Sequence, residues 1–408
     1  AASDVYKRQN SFFYPSVSLS ADITEMAGIK NDILSFLKVR GSYAKVGGAT
    51  ALGAYSLQQT FGFRTETWGT TLLPFNSATL NNPNIKPEST NSLEFGIDAR
   101  FFNGRVTLDA TYYDSKSKDL IVPVQVSAAT GYLSAYNNVG EMSNSGIEIQ
   151  LGADVVKTNN LTWNLAVNFS KFNNEVVSLG GLESLVLGGQ WNMTLEAREG
   201  LPYGVIYGPA FERAPNGEIV YVDGLPQISE TYKVLGDIQP DWTGGIKSSL
   251  TYKGFNFSFL IDAKMGGEVH SMTTTWGRYA GILSETLEGR ETGIIGDGVM
   301  LDADGNYVAN NVVVTAEAYN KAAFTNGNVE SAVFDASYVK LRNITLGYTL
   351  PNKLLAKLPI TDLTFSVIGR NLAILYSKVP HIDPETGFSC LLYTSDAADE
   401  EDSVDLGG

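Results

Sequence analysis

Residues 91–115 read NSLEFGIDARFFNGRVTLDATYYDS. From Leu93 to Phe101 every second residue is apolar (Leu93, Phe95, Ile97, Ala99, Phe101), and Glu94, Gly96, Asp98 and Arg100 lie between them. After Asn103-Gly104 the alternation resumes with Val106, Leu108, Ala110 and Tyr112. Period-two patterning on both sides of Asn-Gly predicts a β-hairpin with one oily face. What covers that face, a protein core or lipid, decides the fold.

Ten segments carry strand-length alternation: 12–21, 36–46, 90–102, 105–115, 142–156, 161–174, 241–252, 255–267, 336–349 and 362–375. Most exceed the usual five or six residues, and a tilted membrane-crossing strand needs about 9–11. The connections point the same way. Short links at 103–104, 157–160, 253–254 and the compact 350–361 alternate with long ones at 47–89, 116–141, 175–240 and 268–335. The first link, 22–35, has room for a helical turn. Greek-key sandwiches do not gather their long loops at one end, whereas transmembrane barrels combine short periplasmic turns with long extracellular loops. Aromatics near the short turns (Phe101, Phe102, Trp163, Tyr252, Phe255, Tyr348) and near the long loops (Tyr112, Tyr113, Phe172, Trp242, Tyr338, Tyr376) fit two interfacial girdles. They also fit strand ends of any β protein. The fold class expected is all-β: an antiparallel meander of long strands forming part of a transmembrane β-barrel. Its apolar face looks at lipid. Its polar face (Glu94, Asp98, Arg100, Glu148, Gln150, Asp154, Asn164, Asn168) looks into a wet lumen.

Composition bounds the function. A chain of 408 residues with 43% hydrophobic and 18% charged residues and mean hydropathy of −0.05 is not a disordered protein. It also lacks the ~18-residue apolar run of a membrane helix. A net charge of −15 argues against nucleic acid as a partner. The single cysteine, Cys390, excludes a disulfide framework or a cysteine metal site. Residues 1–10 and 389–408 resemble translated sequencing-adapter sequence, which sets 11–388 apart as the native segment; the tail holds acids but neither Lys nor Arg.

Several stretches resemble SusC/RagA-type TonB-dependent outer-membrane transporters, in family order. They are FFYPSVSLSADI, LSFLKVRGSYAKVGG, NNPNIKPESTNSLEFGIDARFFNGRVTLDATYYDSKSKDLI, VGEMSNSGIEIQL, DWTGGIKSSLTYKGFNFSFLIDAKMGG and ASYVKLRNITLGYTLP. The resemblance covers about 11–388 and implies the C-terminal part of a barrel of about 22 strands. It further implies import of oligosaccharides or peptides, a SusD-type lipoprotein as lid, and power from TonB–ExbB–ExbD through a plug that lies upstream of this segment. The stretch APNGEIVYVDGLPQ between Phe211 and Gly236 departs from the Asp-rich turn of many relatives, so an ion held there in relatives is not carried over. Ten strands of a larger wall should form an open sheet with free edges at 12–21 and 362–375.

No catalytic residue, cofactor or metal is expected. Asp302-Ala-Asp304-Gly-Asn306 opens like a calcium loop, but the closing bidentate Glu is replaced by Val313, which favours a plain turn. His270 and His381 are too few for a histidine metal centre. Asp98 and Asp109 could face each other as glycosidase carboxylates do, but on a polar lumen wall solvated acids are the expected reading. Substrate contacts are expected from loop aromatics and cations: Trp191, Tyr203, Tyr207, Trp276, Arg278 and Tyr279. Aromatic rings pack on sugar faces and apolar side chains, and Arg pairs with carboxylates. The plainer role for these six is packing the loops together or against the lid. Two other functions fit less well: a passive outer-membrane channel or structural barrel, and a secreted carbohydrate-binding β protein.

Overall fold

A computed structural model describes residues 12–29, 31–48, 52, 57–355 and 360–386. The adapter-like ends therefore lie outside the described residues. Ten long strands form one antiparallel meander: β1 Ser16–Asp22, β2 Leu34–Gly48, β3 Glu88–Phe101, β4 Val106–Lys118, β5 Glu141–Lys157, β6 Leu161–Ser178, β7 Trp242–Tyr252, β8 Phe255–Met265, β9 Tyr338–Thr349 and β10 Thr364–Ser377. Neighbours in sequence are neighbours in the sheet throughout, and among the described residues β1 and β10 each have one partner, so the sheet is open. These are the ten segments expected, and their order is the one a barrel wall requires.

The sheet answers the opening question. Its apolar face has no second layer: Leu19 is 77% exposed, Ile97 44%, Leu151 43% and Val367 75%. The opposite face bears Asp98, Arg100, Gln150, Asn168 and Lys247, which line one polar trough. A soluble sandwich would bury the first face against another sheet; a single-layer wall with an apolar and a polar side is built to separate lipid from water. At the short-turn end the rings of Phe255 and Tyr348, register partners on β8 and β9, meet at 4.5 Å.

Short turns do their work with left-handed backbone. Lys253-Gly254 joins β7 to β8 as a two-residue turn with both residues at positive φ. The opening hairpin differs from its expected Asn103-Gly104 tip. Phe101 and Val106 form the last pair, so the turn runs over 102–105, with Phe102, Asn103 and Gly104 all at positive φ. The cause is a neighbouring connection: the Phe102 N–H donates to the Ile33 carbonyl at 2.8 Å and is drawn out of the ladder. The 23–33 link does hold a helical turn, Ile23–Met26, capped by the Asp22 carboxylate.

The buried apolar clusters lie mainly in the long loops. Leu52, Leu57, Ile85 and Ile121 tie the β2–β3 loop to the β4–β5 loop. Met193, Ile206 and Val329 tie the β6–β7 loop to the β8–β9 loop, and Ala214, Val220 and Val299 join the same two loops. The β6–β7 loop folds into its own four-stranded sheet of Ser184–Gln190, Met193–Arg198, Val205–Phe211 and Ile228–Asp237.

Candidate functional site

Two loops meet to build an aromatic cluster. The hairpin of Ser184–Gln190 and Met193–Arg198 closes with Gln190 paired to Met193, leaving Trp191 in its turn. Trp191 sits at φ +56, an uncommon backbone region for a bulky residue, and its side chain is 63% exposed. The helix Met272–Tyr279, in the β8–β9 loop, begins where the Ser271 hydroxyl accepts from the Thr274 N–H at 3.1 Å. Trp276 and Tyr279, three residues apart, share one face of it. Trp191 meets Trp276 edge-on at 5.7 Å, and Trp276 meets Tyr279 edge-on at 5.4 Å. Three of the six expected contact residues are thus brought together in one partly exposed surface.

The other three are differently placed. The Arg278 Nε donates to Glu285 Oε1 at 3.0 Å, its Nη1 reaches the Ser331 carbonyl at 3.4 Å, and its guanidinium covers the Phe324 ring at 4.6 Å. Arg278 thereby anchors the helix that carries Trp276 and Tyr279. The same Glu285 oxygen faces His381 Nε2 at 2.8 Å. Burial alone would raise the Glu285 carboxyl, but its backbone N–H, His381 and Arg278 outweigh this and hold it down at about 2. Tyr207 lies under the Arg198 guanidinium, 3.8 Å from the ring centre, beside Tyr232 at 5.8 Å. Tyr203 packs against Val176, Leu179 and Ala197, and burial raises its phenol above the usual value.

Two ionic groups on the lumen face escaped the sequence reading. Arg40 on β2 crosses β3 to hold Asp109 on β4 in a fork, at 2.8 and 2.9 Å. It can cross because Gly96 lies beneath it; a Cβ there would stand 2.3 Å from Arg40 Nε. Asp98 and Asp109 are indeed register partners, but Asp109 is committed to Arg40. The second group clamps the chain after β10. Lys340 Nζ donates to Asp383 Oδ1 at 2.5 Å and Glu385 Oε2 at 2.6 Å, and the Tyr338 hydroxyl donates to Glu385 Oε1 at 3.0 Å. Arg342 forks onto Asp262 at 2.6 and 2.9 Å and also reaches Glu385. The Arg342 hydrogen bond, ahead of those from Lys340 and Tyr338, lowers the Glu385 carboxyl to about 2. Lys340 and Arg342 show in the sequence only as polar residues of a wall strand; nothing local names their acidic partners, Asp383 and Glu385 some forty residues on and Asp262 eighty residues back.

The 302–306 stretch forms a turn. The Asp302 carboxylate accepts from the Asp304 and Asn306 N–H groups at 2.9 and 2.8 Å, closing a hairpin of Val299–Leu301 and Tyr307–Ala309. Among the described residues, no cluster of His, Cys, Asp and Glu has the makings of a metal site.

Comparison with known proteins places this geometry. The profile of the family described as "TonB dependent receptor-like, beta-barrel" matches residues 1–372. The chain belongs to that family. TonB-dependent receptor P3 of Formosa agariphila is 26% identical over 95% of this chain and 40% of its own length. TonB-dependent receptor SusC of Bacteroides thetaiotaomicron is 27% identical over 91% and 37%. Among solved structures, "Structure of the RagAB peptide transporter" superposes with a TM-score of 0.74 at 21% identity, over 94% of this chain and 42% of that one. The chain therefore spans about two fifths of the length of these relatives. As a TonB-dependent receptor barrel it is an outer-membrane protein, and its bare apolar face is the lipid-facing side of the wall.

Proposed function

We propose that this chain supplies wall and extracellular loops to an energised outer-membrane importer of oligosaccharides or peptides. The partners are a SusD-type lid lipoprotein over the loops and TonB–ExbB–ExbD acting through a plug, and the protein moves its solute without transforming it. The observation that carries the reading is the Trp191–Trp276–Tyr279 cluster, built by two loops that gather at one end of a lipid-facing wall. Exposed, edge-packed rings offer apolar faces to a sugar ring or an apolar side chain. Arg278, engaged with Glu285 and Phe324, positions two of those rings, while Tyr203 and Tyr207 support the sheet that carries Trp191. The names of the relatives agree: one is SusC, and one structural neighbour is a peptide transporter.

Uptake of labelled oligosaccharide or peptide by cells carrying the full-length receptor, with and without TonB, tests the reading. Loss of uptake without TonB is expected, and unchanged uptake would make the protein a passive channel. Trp191→Ala and Trp276→Ala should each weaken solute binding by roughly 2–10-fold, from about 0.5–1.5 kcal/mol per aromatic contact. Unchanged affinity in both would remove the cluster from the site.

A further inference from the structure

A second cavity lies between the β6–β7 loop sheet, the rim of β8 and β9, and the chain after β10, with a volume of about 360 Å³. That is within the size range of small-ligand pockets. Met193, Leu195, Ile206 and Ile238 give it an apolar side, while Lys264, Glu268 and His270 bring polar groups to it. Two of these polar groups make no hydrogen bond or close ion pair among the described residues, although Glu385 attracts Lys264 from a distance. His270 Nδ1 is shut off from solvent and has no hydrogen-bond partner among the described residues. Burial lowers this imidazole to about 4, so it is neutral at physiological pH. The half-buried Lys264 ammonium makes no ion pair or hydrogen bond with the described residues. Its acidic neighbours are already engaged: Glu385 with Lys340, Arg342 and Tyr338, and Glu268 with the Asp237 N–H at 2.8 Å. A half-buried ammonium that opens on a cavity is available to pair with the anionic group of a ligand.

We propose that this cavity binds a monocarboxylate with a compact apolar body, its carboxylate on Lys264 and its apolar group against Met193, Leu195, Ile206 and Ile238. A single point-charge donor with no Arg fork suits one carboxylate rather than a phosphate. Glu268 and Glu385 in the same lining disfavour a dianion. The site is separate from the Trp191–Trp276–Tyr279 cluster and does not depend on TonB, so it stands or falls apart from the import reading.

Two sources carry this chemistry: the C-terminal residue of a peptide and a free branched-chain acid. Calorimetric titration of the full-length receptor in detergent with N-acetyl-leucine, 4-methylpentanoate and the neutral N-acetyl-leucinamide tests the site and distinguishes them. Saturable binding of either acid, with the amide at least tenfold weaker, supports the site; the tighter acid names the source. Lys264→Met should weaken the acid at least tenfold and Lys264→Arg should largely restore it. The acid–amide comparison on unmodified receptor stands even if Lys264→Met does not fold. Equal affinity for acid and amide, or binding of neither acid, overturns the proposal.

Discussion

Adjacent residues of β5 make the sharpest test of which face meets lipid. Leu151 points to the bare apolar side, between register partners Leu108 and Val167, and Gln150 points to the polar trough, between Asp109 and Asn168. Their depth follows from the ladder. Trp163, an aromatic near the short-turn end, lies four positions along β6 from Val167, the register partner of Leu151; a bulge after Asp154 adds one residue to β5. At about 3.3 Å per residue and a tilt near 40°, that is roughly 10 Å along the membrane normal. This is about two fifths of an apolar band ~25 Å tall, so both residues lie well inside the hydrocarbon region. Leu151→Arg should cost about 2–4 kcal/mol there. Gln150→Arg places the same guanidinium at the same depth in water beside an acid, and should cost less than about 1 kcal/mol. Guanidinium unfolding of the full-length receptor in phospholipid vesicles, followed by tryptophan fluorescence, measures both. Equal costs would falsify the assignment of the faces, and a larger cost for Gln150→Arg would reverse it.

Gly96→Leu should displace the Arg40 guanidinium from Asp109 and cost about 1–3 kcal/mol through crowding and a lost half-exposed ion pair. Combining it with Arg40→Ala should recover much of that cost, because the clash then has no second partner; simple additivity in the same unfolding assay would count against the crossing. The neutral, buried His270 has a folded value near 4 against an ordinary 6.5. Its contribution is therefore present above pH 6.5 and is lost as pH falls through 4, on the order of 3 kcal/mol. His270→Phe should flatten the stability profile across that window, and an unchanged profile refutes it. Glu385, held near 2 against an ordinary 4.5, loses its contribution as pH falls from 4.5 through 2; with a third of its side chain exposed, screening leaves ~1 kcal/mol. Glu385→Gln should accelerate hydrogen exchange over 378–386 at neutral pH, and unchanged exchange would mean that Asp383 alone holds the segment.

The wall was legible because lipid imposes a strict period on it. Leu93, Phe95, Ile97 and their counterparts must all face one way, and a one-residue slip would expose polar groups to hydrocarbon. The alternation of short and long connections then gave the two ends of the barrel. Inside the long loops the period breaks down. The strand Val205–Phe211 buries residues on both faces of a small sheet, and no regular spacing announces it. The aromatic cluster was half legible: residue type pointed to Trp191, Trp276 and Tyr279, but their meeting is a tertiary fact. Arg278 looks the same in sequence whether its guanidinium is free or spent on Glu285. The Arg40–Asp109 pair is hidden for a related reason, since it spans an intervening strand and depends on a side chain that Gly96 lacks.

The division of buried contacts between wall and loops has an evolutionary consequence. The paired loops carry apolar clusters of their own, Leu52 with Ile121 and Met193 with Val329, whereas the wall is held by its hydrogen-bond ladder and by the bilayer. Selection can therefore rewrite the loops as cassettes, changing length and chemistry, while the strands beneath stay constrained by hydrocarbon on one face and by ion pairs such as Arg40–Asp109 on the other. A lineage that keeps this wall can change the surface its loops present without refolding the sheet.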